Sequence, residues 1–221
     1  MVYKILKENL KAVIFDMDGV IFDSEHLVYK EWLAISEKYG LDNIWEVYRK
    51  CIGVTEEITR KLFLEQYGES CPYEAYKAEV SASFHAKYDG GKLPLKDGVR
   101  ELLEYLKTSG YWIGLASSTR EAVVRDEISA AGLLPFFDNL TCGDMLKKSK
   151  PEPDIYLMAC RNLEVAPGEA VAVEDSFNGI RSAYRAGMKP VMVPDLLPPD
   201  EEMKTLSWKI CETLTDLKKF L

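Results

Sequence analysis

Short runs of apolar residues, each closed by a polar or acidic one, recur along the chain: 12–15 before Asp16, 112–116 before Ser117, 170–173 before Glu174 and 191–193 before Asp195. Unbroken apolar runs of this length predict strands buried on both faces. Between them the spacing turns helical. Val99, Leu102, Leu103 and Leu106 recur at three and four residues, with Gly110 as a stop. Ser118 and Glu121 read as a capping-box pair opening a second helix, which carries Ile128 and Ala131 and closes at Gly132. Pro151 and Pro153 open a third, and Ile180, Ala183 and Tyr184 lie on a fourth that ends at Gly187. Strands alternating with helices predict an α/β fold, a parallel sheet flanked by helices and joined by right-handed crossovers.

One long interval breaks the alternation. After the first strand, residues 25–92 show no strand pattern and read as helices over 27–39, 56–67 and 73–88, separated by Gly40, Gly53, Gly68 and the Asp89-Gly90-Gly91 turn. The expected division is therefore an α/β core of residues 1–24 and 93–221, interrupted by a helical module of residues 25–92. Trp32, Ile35 and Tyr39 repeat at helical spacing, which suits packing better than ligand contact.

The length of 221 residues suits one large core, or a core with a small appendage. With 47% apolar and 29% charged residues, the composition excludes a disordered, collagenous or repeat-dominated chain. A net charge of -8 argues against nucleic acid or an anionic membrane as partner, since both need a cationic surface. A small phosphorylated metabolite is compatible with it, and nothing in the sequence requires more than a monomer. Cys51, Cys71, Cys142, Cys160 and Cys211 are scattered, without a CxxC pair or a histidine spaced to complete a zinc site, and read as reduced core thiols. Lys4, Lys7, Glu8 and Lys11 interrupt the apolar residues at the start of the chain, so no signal-peptide core is expected there. No stretch reaches the roughly 18 apolar residues of a membrane span. A cytoplasmic protein is expected.

In an open parallel sheet the carboxyl ends of the strands face one crevice. The residues ending these strands should converge there: Asp16 and Asp18, Ser117 and Ser118, Glu174 and Asp175, with Lys150 on the loop before the third helix. Carboxylates gathered this closely repel by roughly a few kcal/mol per pair at an effective dielectric of about 20. A hard cation offsets that, and oxygen ligands with few imidazoles suit Mg²⁺. Asp16-Met17-Asp18-Gly19 places two carboxylates two residues apart where the chain begins to turn. One can attack phosphorus while the other moves protons. A helix N-terminus behind Ser117 and Ser118 favours a phosphate, and an extended Lys150 can reach it. Each feature also has a plainer reading: an acidic turn, a helix cap, a surface lysine. Glu174-Asp175 after an apolar strand is harder to treat so, because buried adjacent acids need a metal or hydrogen bonds.

Other phosphate chemistries lack their residues. No phosphate-binding Gly-x-x-x-x-Gly-Lys loop or dinucleotide fingerprint is present, and only His26 and His85 could serve as histidine nucleophile or metal ligand. No cysteine is followed five residues later by arginine.

Four segments in order, Asp16-Met17-Asp18-Gly19 with Asp23-Ser24-Glu25, Leu115-Ala116-Ser117-Ser118, Lys150-Pro151-Glu152-Pro153 and Val173-Glu174-Asp175-Ser176-Phe177-Asn178-Gly179, resemble the motifs of the haloacid dehalogenase superfamily. The resemblance covers essentially the whole chain and is to the beta-phosphoglucomutase-like subgroup, with a helical cap inserted after the first strand of a Rossmann-like core. It implies Asp16 as nucleophile and Mg²⁺ ligand, and Asp18 as general acid/base and ligand through its backbone carbonyl. Asp175 would be the second acidic ligand, supported by Glu174, with Ser117, the Ser118 amide and Lys150 holding the phosphoryl group. Specificity residues are expected at Gly53 and Glu56 in the cap loop and at Glu25 and His26 near the hinge.

The resemblance implies a phosphatase acting on a sugar phosphate or similar metabolite through an aspartyl-phosphate, or alternatively a phosphosugar mutase. The mutases carry a histidine on the first cap helix, where a gap-free count from Asp16 finds Val28, and an arginine in the cap loop, where this chain has Glu56. Both departures favour hydrolysis. A receiver-like switch also uses clustered acids, a hydroxyl and a lysine, but such domains are about half this length and place the phosphorylated aspartate later.

Overall fold

The computed structural model describes residues 10–52, 54 and 56–221. Gly53 and the charged residues Lys4, Lys7 and Glu8 lie outside that range.

Six parallel strands form one sheet: β1 (Ala12–Phe15), β2 (Trp112–Ser117), β3 (Asn139–Cys142), β4 (Ala170–Glu174), β5 (Lys189–Met192) and β6 (Lys209–Ile210), in the order β3-β2-β1-β4-β5-β6. The chain lays down β1 at the centre, builds outward through β2 and β3, then returns to β4 on the other side. Phe15 pairs in register with Leu115 and with Val173, and β2 and β4 run slightly beyond β1, so Asp16, Ser117 and Glu174 arrive at one edge of the sheet. This is the switch point at which open α/β sheets bind ligands.

Alternate residues of the central strands feed two cores. Val13 and Phe15 join Leu102, Leu103 and Leu106 of α5 (Val99–Thr108) and Val124 and Ile128 of α6 (Glu121–Ala130). Ala12, Ile14, Ala170 and Ala172 meet Ile155, Tyr156 and Ala159 of α7 (Asp154–Asn162) and Ala183 of α8 (Phe177–Arg185). Helices thus cover both faces of the sheet.

Between β1 and α5 lie α1 (Ser24–Tyr39), α2 (Ile44–Cys51), α3 (Glu56–Tyr67) and α4 (Tyr73–Tyr88). They enclose an aromatic cluster in which Trp32 lies 5.1 Å from Tyr48 and 5.5 Å from Tyr76, ring centre to ring centre. The Tyr76 hydroxyl donates to the Trp32 carbonyl at 2.8 Å. Trp32 packs, as its spacing predicts.

Several elements depart from the sequence reading, a short helix at Glu201–Leu206 among them. Helix α2 is additional; its buried Ile44, Val47 and Tyr48 fall at helical spacing in a segment too short to stand out. Strands β3 and β6 are additional too, because Asn139 and Thr141 interrupt the apolar run of one and the other has two exposed residues. The capping box at Ser118 is not formed. Helix α6 starts at Glu121, whose N–H donates to the Asp144 carboxylate at 3.0 Å, while residues 118–120 make a separate turn. The five cysteines are free, with Cys142, Cys160 and Cys211 buried. No helix among the described residues is long and apolar enough to cross a membrane.

Candidate active site

Where β1 ends, the Asp16 N–H still donates to the Val173 carbonyl at 2.9 Å, so its backbone belongs to the sheet and its side chain has a fixed origin. The chain then turns sharply. Gly19 takes φ +73°, and a Cβ there would lie 2.1 Å from an Asp175 carboxylate oxygen. Glycine serves both the left-handed backbone and the approach of Asp175. Gly179 plays the second part alone: a Cβ would sit 1.9 Å from the Glu174 carboxyl carbon. The Ser176 hydroxyl caps α8 by accepting from the Gly179 N–H at 3.1 Å, which seats this glycine against Glu174.

Lys150 is drawn inward and is only 8% exposed at its side chain. Its ammonium donates to Asp16 Oδ1 at 2.8 Å, to Glu174 Oε1 at 2.7 Å and to the Ala116 carbonyl at 3.1 Å. Three donors thereby meet three acceptors. Glu174 is wholly buried and also accepts from the Tyr156 hydroxyl at 2.6 Å and the Ser176 hydroxyl at 3.1 Å. Asp18 is held separately. The Ser24 hydroxyl donates to Oδ1 at 2.8 Å and the Thr119 hydroxyl to Oδ2 at 3.2 Å.

Asp16, Glu174 and Asp175 each offer an oxygen within 4.8 Å of the others. Burial pushes the Asp16 carboxyl up to about 7; the Lys150 ammonium opposes this, and Glu174 and Asp18 add to it. Burial, reinforced by Glu174 and Asp16, raises Asp175 well above the usual carboxylate range. Burial alone would lower Lys150, but Asp16 and Glu174 hold it above its ordinary value. Three buried acids facing one ammonium leave negative charge uncompensated. The donor set is all oxygen and hard, so the residues present fit a Mg²⁺ ion.

These groups open into a cavity of about 560 Å³, lined by Asp16, Asp18, Ser118, Lys150 and Asp175 from the sheet side and by Glu25, Val28, Trp32 and Glu56 from the helices. Ser117, expected to hold phosphate, is fully buried and absent from the lining, its Oγ accepting from the Thr119 N–H at 3.1 Å. Glu25 accepts from the Tyr48 hydroxyl at 2.9 Å, and burial pushes its carboxyl up to about 7 despite that bond. Glu56 accepts from the Tyr73 hydroxyl at 2.5 Å and from the Lys77 ammonium. His26 turns elsewhere. It is absent from the cavity lining and lies 3.4 Å from Asp195 and 3.6 Å from Asp23, where Lys96 donates to Asp195 at 2.7 Å. Gly53 falls outside the described residues.

Sequence reasoning passed over the residues that hold the charged groups in place. Ser24 and Ser176 stood inside the quoted motifs and could have been read as hydroxyl donors. Thr119, Tyr156, Tyr48 and Lys77 had no local signal, because their partners lie on other elements.

The arrangement places the carboxylates of Asp16 and Asp18 and the Lys150 ammonium around one cavity. The sequence profile of the haloacid dehalogenase-like hydrolases matches residues 13–193. A phosphorylated carbohydrates phosphatase of Thermotoga maritima is 32% identical, over 82% of this chain and 84% of its own. A beta-phosphoglucomutase of Bacillus subtilis is 33% identical, over 83% of each chain. The crystal structure of CbbY from Rhodobacter sphaeroides in complex with phosphate superposes with a TM-score of 0.73 at 28% identity, covering 94% of this chain and 96% of that one. The chain belongs to the haloacid dehalogenase-like hydrolase family and is an enzyme.

Proposed function

We propose that the protein is a Mg²⁺-dependent phosphatase that hydrolyses a small phosphorylated carbohydrate or similar metabolite through an aspartyl-phosphate on Asp16. The observation that carries this reading is the position of Asp16, tied at 2.8 Å to Lys150 and opening on the cavity that Asp18 also lines. The similarity to the Thermotoga phosphorylated carbohydrates phosphatase supports the substrate class.

The Asp16 carboxylate attacks phosphorus; the bond to the substrate oxygen breaks as the new O–P bond forms. Asp18, oriented by Ser24 and Thr119, gives its proton to the departing oxygen. It then takes a proton from the water that attacks the aspartyl-phosphate, releasing phosphate and restoring Asp16. Lys150, exchanging its contact to the Ala116 carbonyl, would hold the phosphoryl oxygens together with Ser117 and the Ser118 amide. Asp16, the Asp18 carbonyl and Asp175, with Glu174 behind them, would hold Mg²⁺. When bound, the ion supplies positive charge to the transferring group. Residues 25–92 act as a cap that excludes water during transfer and selects the substrate. Val28 and Glu56, both lining the cavity, supply neither an imidazole nor a guanidinium there, which favours hydrolysis over the mutase reading.

The test is release of phosphate from p-nitrophenyl phosphate with Mg²⁺. Asp16→Asn should lower turnover at least about a thousandfold while leaving the circular dichroism spectrum unchanged. EDTA should silence the wild type and Mg²⁺ restore it. Retained activity in Asp16→Asn removes that residue from the mechanism, stoichiometric labelling without turnover identifies a switch, and isomerisation of beta-glucose 1-phosphate identifies a mutase.

A further inference from the structure

The helical side of the cavity repeats one arrangement. Glu25, at the start of α1, is fixed by the Tyr48 hydroxyl of α2. Glu56, at the start of α3, is fixed by the Tyr73 hydroxyl of α4 and by Lys77. Among the described residues, Lys77 is the one lysine or arginine that these helices contribute to the lining, and it is already committed to Glu56. The wall therefore presents two carboxylates against one ammonium.

A carboxylate oxygen accepts more than one hydrogen bond, so a phenol that anchors it leaves lone pairs for a ligand. Anchoring also removes most of the side-chain ordering cost of binding. Such a wall suits hydroxyl donors. An anionic group placed between Glu25 and Glu56 meets like charge, with Lys77 already committed to Glu56, and like-charge juxtaposition suppresses such partners.

We propose that Glu25 and Glu56 form a hydroxyl-accepting wall, fixed by Tyr48 and Tyr73, that selects phosphomonoesters with an uncharged polyhydroxylated remainder. It turns away esters carrying a second phosphate or a carboxylate. This rests on the phosphoryl group binding beside Asp16 and Lys150, as in the function proposed above. A merely structural role, tying α3 to α4 through Glu56 and Lys77, would affect stability and leave ligand preference alone.

The experiment measures dissociation constants by calorimetry in an Asp16→Asn background with Mg²⁺, using sorbitol 6-phosphate, glucose 1,6-bisphosphate and phosphoglycolate. The parent should bind sorbitol 6-phosphate most tightly. At pH 8.5, above the value of about 7 to which burial raises Glu25, Glu56→Gln and Glu25→Gln should each shift the ratio of dissociation constants toward the bisphosphate by about tenfold, the effect of one unit charge across a partly solvated cavity. Lys77→Met should shift it the other way, which keeps the test open if a glutamine variant fails to fold. An unchanged ratio in folded variants overturns the wall. So does a parent that prefers the bisphosphate, as it would if the distal phosphate reached Arg49, Lys50 and Arg181 in the adjoining cavity. Turnover of p-nitrophenyl phosphate by the wild type separates the two readings: turnover with an unchanged ratio rejects the wall alone, and a shifted ratio without turnover rejects hydrolysis alone.

Discussion

At Gly179 an added methyl group would lie 1.9 Å from the Glu174 carboxyl carbon, and neither partner can yield easily. Gly179 is pinned by the Ser176 cap, and Glu174 by Tyr156 and Lys150. Gly179→Ala should therefore cost about 1–3 kcal/mol of stability by overpacking. It should also displace Lys150 from Asp16 and reduce kcat at least about tenfold. Urea denaturation and phosphatase kinetics on the same preparation would check both; normal kcat in the folded variant would show that Glu174 does not position the lysine. The sequence displayed this glycine and its acidic neighbours together, which made the motif legible. It did not display the contact. Lys150 was less legible still, since a lysine before proline resembles a surface charge until the carboxylates that bury it are known. Thr119 and Tyr156 could not be read at all, because each acts across the sheet edge on an acid far away in the chain.

Helix α1 is tied to α4 by Glu31, whose buried carboxylate accepts from Lys87 at 2.7 Å and from the Ser83 hydroxyl at 2.6 Å. Burial alone would raise this carboxyl; Lys87 and Ser83 outweigh it and hold the group below its ordinary value of 4.5. A depressed carboxylate adds stability that is fully present above its unfolded value and is lost as pH falls through its folded one. Glu31→Gln should thus destabilise the protein by about 1–2 kcal/mol at pH 7, with the difference shrinking as the pH falls below the ordinary carboxyl value of 4.5. Denaturation midpoints at pH 7 and pH 3.5 would test this, and an equal loss at both would assign the effect to packing. At this scale, strong periodicity was legible and weak periodicity was not. Helices α1, α3 and α4 followed from spacing over several turns. Helix α2 has only two turns, and its buried Tyr48 matters because it reaches back to Glu25. Strand β3 was missed because its polar residues are buried by neighbours that no single-strand pattern reveals.

Across the whole molecule, charge and topology converge at one end of the sheet. Asp16, Glu174 and Asp175 bring three acids to a buried place that Lys150 only partly balances. A protein that binds a cation when folded is stabilised by RT ln(1 + [L]/Kd). Millimolar Mg²⁺ should consequently raise the melting temperature by about 2–4 °C per kcal/mol gained, and Asp175→Asn should lose that increment. An equal Mg²⁺ response in wild type and Asp175→Asn would place the ion elsewhere.

Because β1 is central, its two neighbours arrive late in the chain, and the ammonium that steadies Asp16 stands 134 residues further on. A nascent polypeptide emerging from the ribosome therefore carries Asp16 long before it owns the lysine and acids that surround it. Under the mechanism proposed for Asp16, a translation product that stops before Asp175 should therefore be inert rather than a leaky version of the finished enzyme.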